Sequence, residues 1–490
     1  MESHLQDSSN HKLISQSAEE LNSADNIKSI TNGNNHTKSM GTSFSVYMAA
    51  LIACLGAVSF GYSLEYASPS LPELQEPSAG KLQLNRSQSA WFTSLIAIGG
   101  LIGAPVAGFL IDFIGRQSTL IVISLPFVAG WLLIIYAEAV VSLLIGRLIC
   151  GLGVGMASLV VPIYIAEIST AESRGMLGSM NQLSVTIGFL LGAVLALGIN
   201  WNYLALVGMV LPILMALGIM FMPETPRYLL AKGKRPMAIK QLKWLRGSHA
   251  DINTELYDIE NNLDNGQKMH FSEFKNPVLF KPLLISIGLM IFQQFSGINA
   301  VLFFCTYIFK EAGFGDPKLV NLIATSVQVG ATLISVMLVD RLGRRVLLIT
   351  PAVIMAISCT TFGVYYYIQP KTTTNLNWLA MLSLFVYLVA FSMGWGAIPW
   401  LMMSELFPAR ARGIASGIAT LINWTAAFTI TYSFIYMRKS MKDYGTFWFF
   451  AAWNLLAAIF VFFCVPETKG KTLEEIERLF VDRKMNTEES

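Results

Sequence analysis

From about Val46 onward, apolar runs of roughly twenty residues recur along the chain, each long enough to cross a ~30 Å hydrocarbon core as a helix. The pattern predicts twelve helices, near 46–68, 90–111, 118–137, 142–165, 178–199, 203–222, 281–308, 319–339, 346–368, 378–403, 413–435 and 446–465. A polar, charged stretch separates the sixth from the seventh. Within it, Met237 to Arg246 is amphipathic and predicts a short surface helix. Residues 1–43 are rich in Ser, Asn and His, have no apolar signal-peptide core and read as a disordered tail. The expected organisation is a tail over 1–43, a six-helix bundle over 44–222, a linker with short helices over 223–280, a second bundle over 281–465 and a tail over 466–490.

Composition changes this picture only by exclusion. The 490 residues are 54% hydrophobic and 13% charged, about half the charge of a soluble domain. That is too little to coat a soluble protein of this length, so a soluble enzyme is ruled out. A net charge of +3 gives no argument for a nucleic-acid partner. All five cysteines lie in apolar runs, with no C-x-x-C or Cys/His cluster. No disulfide framework, metal site or cofactor is expected. Most Lys and Arg fall in the segments on one side of the twelve-span arrangement, the side of the linker and both termini. The positive-inside rule makes that side cytosolic.

The two halves repeat each other. Asp112-Phe-Ile-Gly-Arg116 recurs as Asp340-Arg-Leu-Gly-Arg344. Glu167 with Arg174 recurs as Glu405 with Arg412, and Pro223-Glu-Thr225 as Pro466-Glu-Thr468. A parallel six-plus-six repeat is an established architecture of secondary transporters, with the substrate at the midplane between halves. Neutral amides stand inside the spans at Gln182, Gln293, Gln294, Asn299, Gln328 and Asn423, with Trp400 and Trp424 nearby in sequence. A sugar presents hydroxyls that donate and accept, as amides do, and C–H faces that suit aromatic rings. A single intramembrane amide serves equally well as interhelical glue; the Gln293, Gln294 and Asn299 cluster favours a ligand. On a straight helix Gln293 and Asn299 would stand about 120° apart, so Gly297 predicts a broken helix, as do Gly394, Gly396 and Pro399 in the tenth. The Gly151-x-Gly-x-Gly155 run sits in an apolar span with no strand before it, which reads as helix packing and not as a dinucleotide loop.

Seven motifs in order resemble the sugar porter branch of the major facilitator superfamily. They are Gly146-Arg147 with Gly151-Leu-Gly-Val-Gly155, Pro162-Ile-Tyr-Ile-Ala-Glu167 with Arg174-Gly175, Pro223-Glu-Thr-Pro-Arg227, Gln293-Gln-Phe-Ser-Gly-Ile-Asn299, Gly396-Ala-Ile-Pro-Trp400, Asn423-Trp424 and Pro466-Glu-Thr-Lys-Gly470. Within that branch the chain is most similar to the facilitated glucose transporter member 8 type. The resemblance implies an all-α major facilitator fold and facilitative hexose transport by alternating access. It also implies that the six amides and two tryptophans contact sugar. For Asp112, Arg116, Glu167, Arg174, Asp340, Arg344, Glu405 and Arg412 it implies salt bridges between the halves that close the cytosolic side when the transporter faces outward.

Coupling is read from two intramembrane charges. Proton-coupled sugar porters carry an acid directly after a Phe-Gly-Tyr in the first helix, paired with the fourth-helix arginine. Here the sequence is Phe60-Gly-Tyr-Ser63, with Arg147 present, which favours uniport. Glu65, where the member 8 type has glycine, calls for water access, a partner or altered titration. Arg147 is that partner if the first helix is irregular, and proton symport through Glu65 and Arg147 is the alternative. Substrate remains open among glucose, fructose and a disaccharide or polyol, since Ser392 replaces an acid of some relatives. A transporter-like sugar receptor is the rival outside transport, disfavoured by the short segment after Thr468. Asn85-Arg-Ser87 is a glycosylation sequon in the first non-cytosolic loop. Plasma membrane and endosomal or lysosomal membrane are both open, and the expected partners are a small sugar and the bilayer.

Overall fold

The computed structural model describes residues 43–170, 173–247, 252–264, 273, 276–311, 315–372, 376–407, 409–469, 471, 475–476 and 480, without the side chains of 78–80, 174, 262–264, 277, 311, 340, 404, 409, 410 and 412. The predicted tails, apart from a few residues, and the side chains of Arg174, Asp340 and Arg412 therefore lie outside the described residues. The first half comprises α1 (Phe44–Glu65), α2 (Ala67–Gln75), α3 (Arg86–Phe113), α4 (Arg116–Ile135), α5 (Val140–Ile168), α6 (Arg174–Ala196) and α7 (Trp201–Ile219). The linker holds α8 (Pro226–Ala231), α9 (Arg235–Arg246) and α10 (Asn253–Asp264). The second half comprises α11 (Pro277–Phe295), α12 (Ile298–Phe303), α13 (Cys305–Glu311), α14 (Pro317–Leu342), α15 (Arg344–Ile368), α16 (Asn377–Met393), α17 (Ile398–Glu405) and α18 (Ala409–Cys464). Among the described residues eleven helical segments are long and apolar enough to cross a membrane. The last covers two predicted spans, because α18 comprises two helices that meet at Lys442, where the backbone is non-helical (φ 59°), within the expected loop.

Small residues bring the helices of the first half together. Gly151 faces the backbone of Ile96 and Gly99 on α3, Gly155 faces Gly100, and Gly153 lies on the ring of Phe127. A methyl at any of the three would stand under 3 Å from these atoms, so the glycine run is a packing surface. The predicted surface helix is α9. Its Ala238, Leu242 and Leu245 are buried, and Arg246 donates to the carbonyls of Ile168 and Ser169 at the end of α5 while pairing with Glu255.

The halves meet along α3 with α18 and α6 with α14. On the side away from the linker the seam is closed. The Trp91 ring of α3 lies tilted against those of Phe428 and Tyr432 of α18, Lys318 pairs with Glu73 of α2, and Lys310 pairs with Glu76 just beyond it. On the linker side a methyl added at Gly175, Gly178, Gly413 or Gly417 would meet nothing within 4 Å.

Candidate substrate site

Helix α11 ends at Phe295 because Gly297 adopts φ +96°, a left-handed conformation open to glycine at little cost. The break frees the carbonyl of Ser296, which accepts from Tyr387 Oη (3.1 Å) and Asn454 Nδ2 (3.3 Å). Broken backbone at membrane depth needs such partners. The break also turns three amides towards one another, which a straight helix could not do. Asn299 Nδ2 donates to Gln294 Oε1 (2.6 Å), Gln294 Nε2 to Asn423 Oδ1 (3.2 Å), and Asn423 Nδ2 to Gln293 Oε1 (2.8 Å). Gln293 Nε2 donates to the carbonyl of Trp395 (2.6 Å), in the second break between α16 and α17. One chain of bonds thus joins both discontinuities.

The remaining sugar-contact expectations surround this chain without joining it. Gln328 is buried with its Oε1 unpartnered, and Trp424 is buried with its Nε1 unpartnered. The Trp424 ring lies 6.1 Å from that of Phe60 and closes on Gly100, so it spans the seam at mid-depth. Trp400 is half-buried against Met290, Met403 and Ala419. Gln182 is half-buried on α6 and bonds to none of the other amides.

The expected partnership of Glu65 with Arg147 does not form. Arg147 is fully buried, donates Nη1 to the carbonyl of Ser63 (2.7 Å) and Nε to that of Phe92 (3.1 Å), and lies over the Phe92 and Tyr66 rings. Glu65 points the other way, as its 200° offset from Ser63 on a helix requires. Its Oε1 accepts from Asn321 Nδ2 of the second half at 2.6 Å. It is buried, at 1% exposure.

Of the duplicated charges, those with described side chains show bonds within their own half. Arg116 Nη2 pairs with Glu167 Oε1 (3.0 Å) and Nη1 donates to the carbonyl of Ile111, while its N–H donates to Glu224. Arg344 Nη2 pairs with Glu405 Oε1 (2.9 Å) and Nη1 donates to the carbonyl of Val339, while its N–H donates to Glu467. Each arginine opens a helix beside its own half's acid, so its reach is spent locally. Asp112 is 3.8 Å from Arg116 and 80% exposed, too far out to contribute much. Glu224 and Glu467 were missed as site residues, although the Pro-Glu-Thr repeat signals them. Both cap a helix N-terminus. Burial pushes the Glu224 carboxyl up, against the N–H groups of Thr225, Gln117 and Arg116. Burial opposes charge at Glu467 too, but the N–H groups of Lys469, Arg344, Arg345 and Thr468 outweigh it and hold that carboxyl below the usual range. Arg344→Gln removes the cation from Glu405, leaving it the Thr468 hydroxyl, and is expected to lower stability by about 1–3 kcal/mol, as breaking a partly buried pair does. Thermal unfolding in detergent reads this; an unchanged melting temperature would mean the pair is incidental.

Two repeated halves meeting around broken helices and a buried amide chain define a membrane transporter of the major facilitator fold. The chain belongs to the family described as sugar (and other) transporter, which it matches over residues 34–480. It is 40% identical over 446 residues to the facilitated trehalose transporter Tret1 of Apis mellifera ligustica, covering 88% of each chain. It is 38% identical over 458 residues to the facilitated glucose transporter member 8 of solute carrier family 2 from Bos taurus, covering 89% of this chain and 95% of that one. Among solved structures it is similar to the proton:xylose symporter XylE bound to 6-bromo-6-deoxy-D-glucose, at 29% identity and a TM-score of 0.76 over 90% of this chain and 100% of that chain. It is likewise similar to the inward-open conformation of the Escherichia coli xylose transporter XylE, at 28% identity and a TM-score of 0.74 over 89% of this chain and 99% of that one.

Proposed function

We propose that this chain carries a glucose-like hexose across a membrane by facilitated diffusion, alternating access between the two sides, with linker and termini in the cytosol. The observation that carries the reading is the amide chain from Asn299 to Trp395, which joins the two helix breaks and offers a polyol neutral donors and acceptors. Uniport is favoured over proton symport because Ser63 stands where an acid would meet Arg147, and Arg147 instead bonds backbone carbonyls. A disaccharide is the second reading, favoured by the similarity to trehalose transporters. Initial uptake and counterflow of radiolabelled glucose and trehalose in proteoliposomes, with a pH-sensitive dye inside, test all three. Uptake without sugar-dependent pH change supports uniport. A pH change would replace it with symport, and binding without uptake would make the protein a receptor.

The networks around Arg116 and Arg344 would hold each half rigid while the halves rock. Asn85 is exposed on the side opposite the linker, and its Oδ1 accepts from the Gln88 N–H as the cap of α3. Its side-chain nitrogen is left for a glycan. Glycosidase treatment should increase the mobility of wild type but not of Asn85→Gln; a shift retained in the variant would place the glycan elsewhere. Plasma and endosomal or lysosomal membranes both suit such a protein.

A further inference from the structure

A buried polar cluster lies apart from the amide chain, on the seam opposite the linker. Glu65 closes the C-terminal end of α1 and Asn321 sits in the first turns of α14, 256 residues away and in the other half. Their bond is 2.6 Å long and both residues are buried, at 1% and 2% exposure. Beside it Ser68 of α2 bonds Thr306 Oγ1 (3.0 Å), accepts from the Thr306 N–H (3.2 Å) and reaches Asn321 Oδ1 (3.4 Å). Glu65 Oε2 has no hydrogen-bond partner, so Asn321 is the carboxyl's one direct tie. Polar groups packed between moving bodies, where apolar ones would seal more simply, make sense if water replaces each lost bond when the seam opens.

We infer that Glu65 and Asn321 form a latch that holds the side opposite the linker closed, and that they position the halves for transport without touching the sugar. This rests on the alternating-access reading but adds a defined contact to it. The contact is needed as an acceptor facing a donor. A glutamine at 65 retains the carbonyl that accepts from Asn321, whereas leucine removes it and strands the Asn321 amide. Loss of one buried hydrogen bond is worth roughly tenfold in the ratio of open to closed.

The test uses the full chain in nanodiscs, spin-labelled in both halves on this side through Lys81→Cys and Lys439→Cys, with Cys464→Ser to remove the exposed thiol. Electron–electron resonance distances give the populations. Glu65→Leu and Asn321→Ala should each raise the long-distance population roughly tenfold, the double variant should do little more than either, and Glu65→Gln should stay within about threefold of wild type. Additive single effects, unchanged populations in the single variants, or a Gln variant shifted as far as Leu would each overturn the latch. Thermal unfolding of Glu65→Gln confirms that the scaffold is intact. The readout needs no sugar, so failed uptake by wild type would sink the transport reading and leave this one standing.

Discussion

Replacing Gln293 with leucine is expected to lower sugar uptake at low concentration by at least about thirtyfold, corresponding to roughly 2 kcal/mol. Leucine matches the volume but removes three bonds at once. The Trp395 carbonyl loses its donor, the Asn423 amide loses its acceptor, and Gln294 loses its weaker contact at 3.4 Å. A site built to bond hydroxyls is left with buried groups that neither protein nor sugar satisfies, and that asymmetry makes the cost large. Asn299→Ala should cost less, because Asn299 is half-buried and ends the chain with one bond. Because Gln293 and Asn423 share a bond, the loss in the double leucine variant should fall short of the sum. Initial rates in proteoliposomes decide it; uptake within twofold of wild type would reduce the cluster to interhelical glue.

How much of this was legible in the sequence depends on how far along the chain the partner lies. Spans announce themselves through hydropathy, and the twelve expected ones correspond to helices. The boundaries slipped where polar residues are buried by the other half. The first span was ended at 68, but α2 continues to Gln75, since Ser68 and Ser70 face protein and not water. The last two spans stay distinct on either side of Lys442, whose φ of 59° interrupts the helical backbone between them. The break at Gly297 was legible from angular arithmetic alone. The order of bonds within the amide cluster was not, because Gln293 and Asn423 are brought together only by α18 packing on α11. The partners of Glu65 and Arg344 escaped for opposite reasons. Asn321 is a distant neutral residue that nothing flags, whereas Arg344 stood in a charge repeat, and the repeat does not say that its arginine pairs with Glu405 of its own half.

Gly297→Ala is expected to abolish transport, and the reason is local. At φ +96° a Cβ costs about 1–2 kcal/mol in backbone strain, and here it would also stand 2.7 Å from Phe450 Cδ2. Phe450 is fully buried and packs against Phe434, Phe447 and Phe449, so it has little room to retreat. The chain can relieve the strain by continuing α11 into α12 as one helix. That would withdraw the Ser296 carbonyl from Tyr387 and Asn454 and splay Gln293 from Asn299 by about 120°. The amide chain could not then form, and uptake should fall below detection even where the protein remains folded. Gly396→Ala is the matched control in the other break: its Cβ would meet nothing closer than 3.5 Å, an ordinary contact with Phe391, and it should retain most of the uptake. Hydrogen exchange of the amides around Ser296 adds a readout that bears on the break itself, since a continuous helix protects them and a broken one does not. Full uptake by Gly297→Ala would mean that the discontinuity is dispensable, and with it the idea that the break assembles the site.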